Sequence, residues 1–506
     1  MSQKMGEALA LRMQSAQDYD TIPVTLFLRG EPAAEALAAL DAPAGTASTR
    51  GSVSEIKKQA AEQQADLLGS LRSMHGESAF TDGDVSVPQV SRIESFWIIN
   101  AVTAWVTRGV IDQLLRRGDI LLAELIRHVD EAELFDAGPK PKAAKATKKP
   151  KAAAGVADAS PVVWSVDRVK APMLWQLGLK GKGVLAAIID SGVNYNHPDL
   201  TGHMWAGGAA FPNHGYDFAS GDNDPMDEQG HGTCCAGIVA GDGSAGEATG
   251  VAPEATVMAI RVGGSEVNFW KGFEFAIDQK AHVISMSMSW KYPSSPNYPG
   301  WRRACETLLA AGILHANSIG NQGDDLTTYP LPYNIATPGN CPPPRMHPLQ
   351  AIVGGLSSPI SCGATDDLDQ LASYSGRGPA AWEAAPYTDY PYSGGAKTGL
   401  IKPDVCAPGP GTRSCNWKYG VDTGARPYVG FGGTSAATPH VGGCLVLLAQ
   451  ACLKANKPII PARIQEALEN TAVRVVGQSK DKEIHYGAGR VDVYAAYKYG
   501  NALGWW

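Results

Sequence analysis

Four short segments of the sequence contain residues that together could cleave an acyl bond. Asp190 follows an apolar run, and His231 lies among glycines where a helix could begin. Ser435 lies in a similar small-residue segment, and Asn321 lies in the glycine-flanked segment 320–323. Taken one at a time, such residues are usually turn caps or structural side chains. Their occurrence together in one chain indicates a catalytic set.

The chemistry that these residue types support is acyl transfer through a serine. A serine hydroxyl is a poor nucleophile until an imidazole accepts its proton, and the imidazole needs a carboxylate to fix its tautomer. Asp190, His231 and Ser435 can fill these three roles. The attacked carbonyl oxygen becomes negatively charged, and the Asn321 amide, with the Ser435 backbone N–H at a helix N-terminus, can stabilise it.

The elements that must position these residues alternate between strand and helix after residue 160. This order predicts a largely parallel sheet that is covered by helices on both faces. Ligand sites in such sheets lie at the carboxyl ends of the strands. Buried strands are expected at 184–189, 255–262, 282–287 and 313–318, with a helix at 269–277.

The chain order Asp, His, Asn, Ser and the motifs around these residues resemble the subtilisin-like serine proteases, or subtilases. The resemblance covers about residues 165–497. It implies a three-layer α/β/α fold with a mostly parallel central sheet, a polypeptide substrate and no cofactor for the chemistry. It also implies that Asp190, His231 and Ser435 form the triad and that Asn321 donates to the oxyanion. The motifs that carry it are at 184–194, 227–241, 283–289, 318–323 and 432–442.

The same resemblance assigns the first substrate pocket. This lining contains no carboxylate that could select a basic side chain, so we expect it to take an apolar or medium-sized side chain. The substrate is expected to pair as an extended strand along 286–289, with 263–266 as the facing edge. The implied lining residues are Ser287, Met288, Ser289, Ser318, Ile319 and Gly320.

An acidic loop precedes the histidine motif and contains Asp222, Asp224 and Asp227. Subtilases often bind Ca²⁺ in such loops, and clustered oxygens suit that hard cation. The spacing is not that of an EF-hand, so the same residues can equally be turn caps. Both interpretations of this loop, a structural calcium site and a set of turn caps, therefore remain open.

The histidine motif departs from the family pattern, because Cys234 stands where a second histidine is usual, and Cys235 follows it. Neither replaces a member of the triad. We interpret both as small buried side chains near the His231 helix; a redox-sensitive thiol is the alternative. The segment between Asn321 and Ser435 is long and contains the Pro-rich stretch 329–350, either a surface loop or a wall of the cleft.

The sequence before residue 161 is predicted to hold a separate small domain. Its strands and helices follow the order β-α-β-β-α-β of a split α+β unit. The order of its elements and the segment around Phe96 resemble the subtilase propeptide. This resemblance implies that the unit is an intramolecular inhibitor and folding chaperone, and that the chain is cleaved within 126–160 to release it. An unrelated binding domain is the alternative. The predicted boundaries are an N-terminal extension at 1–19, the α+β domain at 20–136, a linker at 137–160 and the catalytic domain at 161–506.

Composition and charge exclude several other classes of protein. The 506 residues carry a formal net charge of −7, and only 18% are charged, which excludes wholesale disorder. The six lysines of the linker predict a solvated tether rather than a nucleic-acid-binding tail, so we expect no nucleic-acid partner. No apolar run reaches about 18 residues, and we expect no membrane span. The histidines other than His231 and all nine cysteines lack zinc-ligand spacing, so no metal hydrolase is indicated.

The cysteine content and the N-terminal sequence predict the cellular compartment of the protein. Nine cysteines and the absence of a secretory apolar segment predict mostly free thiols and, by default, a cytoplasmic protein. Export by an unconventional route is the alternative. Together these observations predict a serine endopeptidase made as a precursor that its N-terminal domain inhibits. The alternative from another class is a catalytically silent binding protein with a subtilase fold.

Overall fold

The described residues of the chain fold as two units that pack against each other, one before residue 135 and one after residue 160. The predicted linker at 137–160 and residues 343–350 of the Pro-rich stretch lie outside the described residues. The computed structural model describes residues 4–39, 49–82, 85–134, 161–342, 359–384, 386–387, 390–392, 399–479 and 482–506.

The N-terminal unit is a four-stranded antiparallel sheet with helices on it. Its first strand buries Val24, Leu26 and Leu28, and its long helix buries Leu67 and Leu71, as their periodicity predicts. The strands lie in the order β4-β5-β1-β6. The elements are α1 (Glu7–Ser15), β1 (Thr21–Leu28), α2 (Ala34–Ala39), α3 (Thr49–Met74), β2 (Ser78–Asp82), β3 (Val85–Pro88), β4 (Val90–Phe96), β5 (Ala101–Thr107), α4 (Arg108–Leu114), β6 (Ile120–Leu125) and α5 (Glu131–Leu134).

The first 19 residues contribute to this unit rather than only extending from it. Helix α1 buries Leu9 and Met13 in the same apolar cluster as β1 and β5. The backbone before α1 pairs with β6, since Gly6 N donates to the Ala123 carbonyl at 3.0 Å. The predicted boundary at residue 20 therefore divides one packed unit. The sequence did not predict this, since a helix of nine residues depends on its packing against the rest of the unit.

The C-terminal unit is built on a seven-stranded parallel sheet between two helical layers. Successive strand residues alternate between the faces: Ile188 packs in one apolar cluster with α9 and α12, and Ile189 packs in another with α10 and α11. The elements are α6 (Trp164–Arg168), α7 (Ala171–Trp175), β7 (Leu185–Asp190), α8 (Pro198–Thr201), β8 (Gly215–Asp217), α9 (His231–Ala240), β9 (Thr256–Arg261), α10 (Glu266–Asp278), β10 (Val283–Met286), α11 (Tyr298–Ala310), β11 (Leu314–Ser318), β12 (Ile360–Thr365), β13 (Val405–Pro408), β14 (Thr412–Cys415), β15 (Tyr428–Phe431), α12 (Thr434–Lys454), α13 (Pro461–Asn470) and α14 (Val493–Ala502).

The strand order places the predicted site at one edge of this sheet. The order is β13-β12-β11-β10-β7-β9-β8, and every neighbouring pair is parallel. The carboxyl ends of β7, β10 and β11 therefore lie side by side. The predicted strands at 184–189, 255–262, 282–287 and 313–318 correspond to β7, β9, β10 and β11, and their ends differ by at most one residue.

Helix α12 passes through the centre of the C-terminal unit. Every residue from Thr434 to Cys452 is buried. The helix is long and apolar enough to span a membrane by length and composition, but 94% of its apolar window is buried inside the protein. Its composition thus reflects a core helix that is enclosed on all sides.

The two units share one apolar cluster. The turn between β4 and β5 inserts Ile98 and Ile99 between the sheet of its own unit and the α10 and α11 layer of the other. Phe96 contacts Trp270 of α10 edge to face, with ring centroids 6.0 Å apart. The N-terminal unit is therefore packed on the C-terminal unit over a desolvated surface.

Candidate active site

The four residues predicted to do chemistry lie at strand ends or helix starts along one edge of the parallel sheet. Asp190 is the last residue of β7, and His231 is the first residue of α9. Ser435 is the second residue of α12, and Asn321 follows β11 by three residues. The fold thus gives each residue the position that the alternation of strands and helices predicts.

Asp190 and His231 form a short hydrogen bond. His231 Nδ1 lies 2.7 Å from Asp190 Oδ1, and that oxygen also accepts from Ser191 N at 2.8 Å. The Asp190 side chain is fully buried, while 11% of the His231 ring is exposed. Because an ionised carboxylate can only accept, His231 Nδ1 carries the proton and Nε2 presents its lone pair. This is the tautomer that a general base requires.

Asp227 shapes the turn that holds His231 at the start of α9. Its Oδ1 accepts from Gly230 N at 2.7 Å, and its Oδ2 accepts from Thr233 N at 2.8 Å. Ser191 Oγ donates to Asp227 Oδ1 at 3.0 Å and accepts from Gly232 N at 2.9 Å, which ties this turn to β7. Asp227 therefore acts as the cap of the α9 N-terminus.

Asn321 is held against the first turn of α12 by its carbonyl oxygen. Its Oδ1 accepts from Thr434 N at 2.8 Å and from Thr434 Oγ1 at 3.0 Å. Since a backbone N–H can only donate, the amide nitrogen is turned to the other side. Gly433, with φ of 85°, precedes the helix, and a Cβ there would lie 2.8 Å from Asn321 Nδ2. A glycine at 433 thus leaves the amide donor unobstructed.

Ser435 lies between the His231 helix and the end of β10. Its Oγ is 3.5 Å from the Ser287 carbonyl oxygen, and Ser287 Oγ donates to the Ser435 carbonyl at 3.0 Å. Cys235 Sγ lies 3.9 Å from His231 Nδ1 and 3.7 Å from the Ser435 carbonyl oxygen. Cys235 thus contacts both the His231 ring and the Ser435 backbone, and the three triad residues belong to one site.

The geometry agrees with the comparison to known proteins. The sequence profile of the Subtilase family matches residues 181–489. The chain belongs to the subtilase family. Among its relatives, thermitase of Thermoactinomyces vulgaris is 30% identical over 339 residues, which cover 66% of this chain and 94% of thermitase. Subtilisin Savinase of Lederbergia lenta is 29% identical over 343 residues, covering 67% of this chain and 99% of that protein.

A third relative aligns beyond the catalytic domain. Bacillopeptidase F of Bacillus subtilis (strain 168) is 27% identical over 466 residues, which cover 88% of this subtilase and 28% of that much longer protein. An alignment over 88% of the chain must include residues before 161. The predicted family, the three-layer α/β/α fold and the assignment as a serine peptidase are confirmed. Subtilases need no cofactor for this chemistry.

The six residues predicted to line the first pocket of this subtilase come together at the ends of β10 and β11. Asn317 Nδ2 donates to the carbonyls of Met286 and Met288 at 2.9 and 3.2 Å, which joins the two strand ends. Ser287, Ser289 and Ser318 are each 2% exposed. Met288 and Ile319 are fully buried, and Met288 packs in the apolar cluster of α10 and α11.

Part of the Pro-rich stretch forms a wall beside these strands. Thr337 and Trp290 exchange backbone hydrogen bonds of 2.7 and 2.8 Å, and Ala336 N donates to the Ile319 carbonyl at 3.0 Å. The stretch was predicted to be either a surface loop or a wall of the cleft. The described residues 335–342 agree with the second alternative, because they are buried against the end of the sheet.

The end of the N-terminal unit lies along the two edges predicted to bind substrate. Val129 N donates to the Gly264 carbonyl at 2.9 Å, and His128 pairs with Ser265 as an isolated antiparallel bridge. On the other edge, Ser289 N donates to the Leu134 carbonyl at 3.4 Å. The chain before the linker thus occupies the cleft between 263–266 and 286–289.

The predicted calcium ligands are not brought together. Asp227 caps α9 as described, Asp222 Oδ1 accepts from Asp224 N, and Asp224 Oδ1 accepts from Tyr195 OH. Within the described residues, two other groups of acidic, histidine and cysteine side chains have their possible ligand atoms close together. One is Asp190, His231 and Cys235, and the other is His197, Asp199 and Cys415. The turn-cap interpretation accounts for Asp227, and calcium binding stays a prediction.

All nine cysteines of this subtilase lie within the described residues, and all are free and buried. Burial raises the pKa of the Cys234 and Cys235 thiols, and the nearby carboxylates of Asp227 and Asp190 raise it further. A buried thiol with a raised pKa is a poor nucleophile. The geometry therefore fits the structural interpretation of both cysteines.

Sequence reasoning did not identify two residues that hold the site together. Ser191 links Asp190 to the α9 turn, and Thr434 orients Asn321. Each is adjacent in sequence to a predicted catalytic residue and carries a hydroxyl, which is the signal that could have identified it.

Proposed function

We propose that this subtilase is an endopeptidase whose nucleophile is Ser435, with His231 as general base and Asp190 as the residue that orients His231. The observation that carries the proposal is the 2.7 Å bond between His231 Nδ1 and the fully buried Asp190 carboxylate. That bond directs the lone pair of Nε2 away from Asp190, so the imidazole can accept the serine proton.

The reaction follows from these positions. Ser435 Oγ attacks the peptide carbonyl carbon while His231 takes its proton, and the carbonyl oxygen becomes an oxyanion. Asn321 Nδ2 and the Ser435 N–H at the α12 N-terminus donate to that oxygen. His231 then gives its proton to the departing amine, and water, activated by the same imidazole, hydrolyses the acyl-enzyme.

The N-terminal unit is proposed to be an intramolecular inhibitor of this site. Its contacts with α10 and α11 are polar as well as apolar. Glu274 Oε1 accepts from Ile98 N at 3.1 Å, and Thr307 Oγ1 donates to the Ile98 carbonyl at 2.8 Å. Arg303 donates to the carbonyls of Leu28 and Ile99 at 3.1 and 3.2 Å. These bonds anchor the unit while its last residues fill the cleft.

Intact mass of the full-length protein tests both proposals. Wild type and Ser435→Ala are each measured with and without a fluorophosphonate, with Ser73→Ala, an exposed serine of α3, as the matched control. We expect wild type and Ser73→Ala to lose an N-terminal segment ending within 126–160 and to gain one adduct, and Ser435→Ala to stay whole and unlabelled.

The other outcomes separate the alternatives. A wild-type chain that stays whole but gains one adduct would contradict self-processing and leave the nucleophile assignment intact. A wild-type chain that gains no adduct, even after limited trypsin cleavage of the lysine-rich linker, would contradict the endopeptidase and favour the silent binding protein. An adduct on Ser435→Ala would show that another residue is the nucleophile.

A further inference from the structure

The residues before α1 cover the outer edge of β6. This strand lies at one end of the strand order in the sheet of the N-terminal unit. Met5 pairs with Ala123 as an isolated parallel bridge. Gly6 N donates to the Ala123 carbonyl at 3.0 Å, and Ala123 N donates to the Lys4 carbonyl at 2.8 Å. Residues 4–6 therefore extend the sheet by one short strand and pair backbone groups that an open edge would leave unpaired.

Helix α1 holds this short strand in place. Leu9 is fully buried in the apolar cluster to which β6 also contributes. Leu11 lies on the outer face of the helix and is 60% exposed. Just after the helix, Arg108 Nη1 donates to the Ala16 carbonyl at 3.4 Å. Residues 4–16, the clasp, are thus attached to the unit by one apolar face and at both ends.

The clasp also contacts β6 and the turn before it through side chains. Lys4 Nζ donates to the Arg117 carbonyl, three residues before β6 begins. The Glu124 carboxyl group lies against Gly6, since a Cβ at residue 6 would be 2.1 Å from Glu124 Oε2 and 2.3 Å from its Cδ. The absence of a side chain at Gly6 therefore allows the clasp to approach β6 closely.

Strand β6 leads directly into the cleft. It ends at Leu125, and Ile126 N donates to the Pro23 carbonyl at 3.0 Å. Val129, whose N–H donates to the Gly264 carbonyl at 2.9 Å, follows β6 by four residues. Four residues span at most about 14 Å, so this connection has little slack. A displacement of β6 is therefore passed on to the residues that fill the cleft.

We infer that the clasp is an autoinhibitory device: it holds β6 in the sheet and thereby keeps the end of the N-terminal unit in the cleft. Its detachment is the step that lets the unit leave. This inference rests on the proposed inhibition of the site by that unit. A helix of nine residues is not stable without its packing, so the clasp can detach while the four-stranded sheet stays folded.

The first test follows fluorophosphonate labelling of the full-length chain after dilution from urea. Labelling is timed from the end of folding, which circular dichroism reports in the same sample. Leu9→Ala removes the fully buried contact of the clasp and should shorten the half-time of labelling about tenfold. Leu11→Ala, the same change on the exposed face of α1, is the control and should leave the half-time unchanged.

A second control separates the clasp from the stability of the whole unit. Leu71→Ala makes the same change in the same apolar cluster, but on α3, which packs on β4 and β5. The half-time in this variant should stay within about twofold of wild type, because the clasp is intact. Met13→Ala weakens the clasp at a second buried residue and gives the same test if Leu9→Ala does not fold.

Hydrogen exchange in the inactive Ser435→Ala chain shows which backbone opens. In Leu9→Ala, we expect residues 119–130 to exchange about tenfold faster, while residues 101–107 of β5 keep their protection. Faster exchange over both segments would mean that the whole sheet opens, which overturns the clasp.

The failures of the two proposals are distinguishable. Equal half-times in Leu9→Ala and Leu11→Ala overturn the clasp and leave inhibition by the N-terminal unit intact. Equal effects of Leu71→Ala and Leu9→Ala also overturn it, because the whole unit must then unfold before the cleft opens. A wild type that labels fully as soon as it has folded overturns inhibition by the unit, and the clasp with it. A chain that never labels overturns the endopeptidase and everything that rests on it.

Discussion

Asn321 contacts Thr434 through its carbonyl oxygen and not through its amide nitrogen. The Thr434 backbone N–H and side-chain hydroxyl both donate to Asn321 Oδ1, at 2.8 and 3.0 Å. The residue before the nucleophile therefore determines which way the oxyanion donor points. Thr434 is a positioning residue: it acts on the reaction through the orientation of Asn321.

Removal of the Thr434 hydroxyl should lower kcat and leave KM nearly unchanged. Thr434→Val keeps the shape of the buried side chain but leaves only one donor on Asn321 Oδ1, so the amide loses part of its orientation. We expect a decrease in kcat of about tenfold, whereas Asn321→Leu, which removes the donor itself, should cost about 10²- to 10³-fold. Steady-state kinetics on one peptide measure both parameters. Thr434→Ser should restore the rate; a change confined to KM would contradict this role.

Asp190→Asn should remove most of the activity without unfolding the protein. An amide at this position can donate to His231 Nδ1, which favours the tautomer that cannot accept the serine proton. The expected loss in kcat is about 10⁴-fold. Circular dichroism and the rate of fluorophosphonate labelling are measured together. A loss below tenfold with a folded variant would mean that Asp190 does not fix the tautomer.

Docking of the N-terminal unit should weaken as the pH rises. Burial at the interface raises the pKa of Glu274 from 4.5 to about 8, and the Ile98 and Trp97 N–H groups oppose the shift. The docked state therefore binds a proton that the undocked state releases. The stabilisation is fully present below about pH 4.5 and is lost as the pH rises to about 8.

The free energy of unfolding of the inactive Ser435→Ala chain, measured in urea from pH 5 to pH 9, tests this sign. We expect it to fall through that window and the slope to be smaller in Glu274→Gln, which mimics the protonated carboxyl. Glu254→Gln is the exposed control. Burial also raises the pKa of Glu124 and Glu266 to about 7, so some slope should remain in Glu274→Gln. Burial lowers the pKa of His315 to about 3 and of His440 to about 4, so these two histidines contribute a slope of the opposite sign below about pH 6.5. An identical slope with and without Glu274→Gln would contradict the assignment.

Thiol reagents should not inhibit the active enzyme. Cys235 is 1% exposed, and burial raises the pKa of its thiol, so little thiolate is present at neutral pH. We expect wild type and Cys235→Ser to keep the same fraction of activity, above about nine-tenths, after an hour with N-ethylmaleimide or dilute peroxide. Inhibition of wild type but not of Cys235→Ser would support the alternative interpretation of Cys235 as a redox-sensitive thiol.

Much of the site could be predicted because its residues are local signals at the ends of regular elements. Asp190 and His231 could be located from the apolar run before one and the glycines around the other. The role of Asp227 could not be determined from the sequence, since an acidic turn can either bind a cation or cap a helix. The backbone N–H groups that donate to Asp227 in the structure show that it caps α9. The contacts of Glu131 with Gln229 and Gly263 were beyond sequence reasoning, because they depend on how two units pack across a linker. Helix α1 was missed because its stability comes from packing on β6 and not from its own composition.

The position of Ser435 on α12 determines how catalytic activity is lost on heating. The nucleophile lies in the first turn of a helix whose residues 434–452 are all buried. That turn cannot fray while the sheet and the helices around it stay packed. Heat inactivation should therefore follow the same time course as global unfolding, and the working lifetime of the enzyme at a given temperature is set by the height of its unfolding barrier.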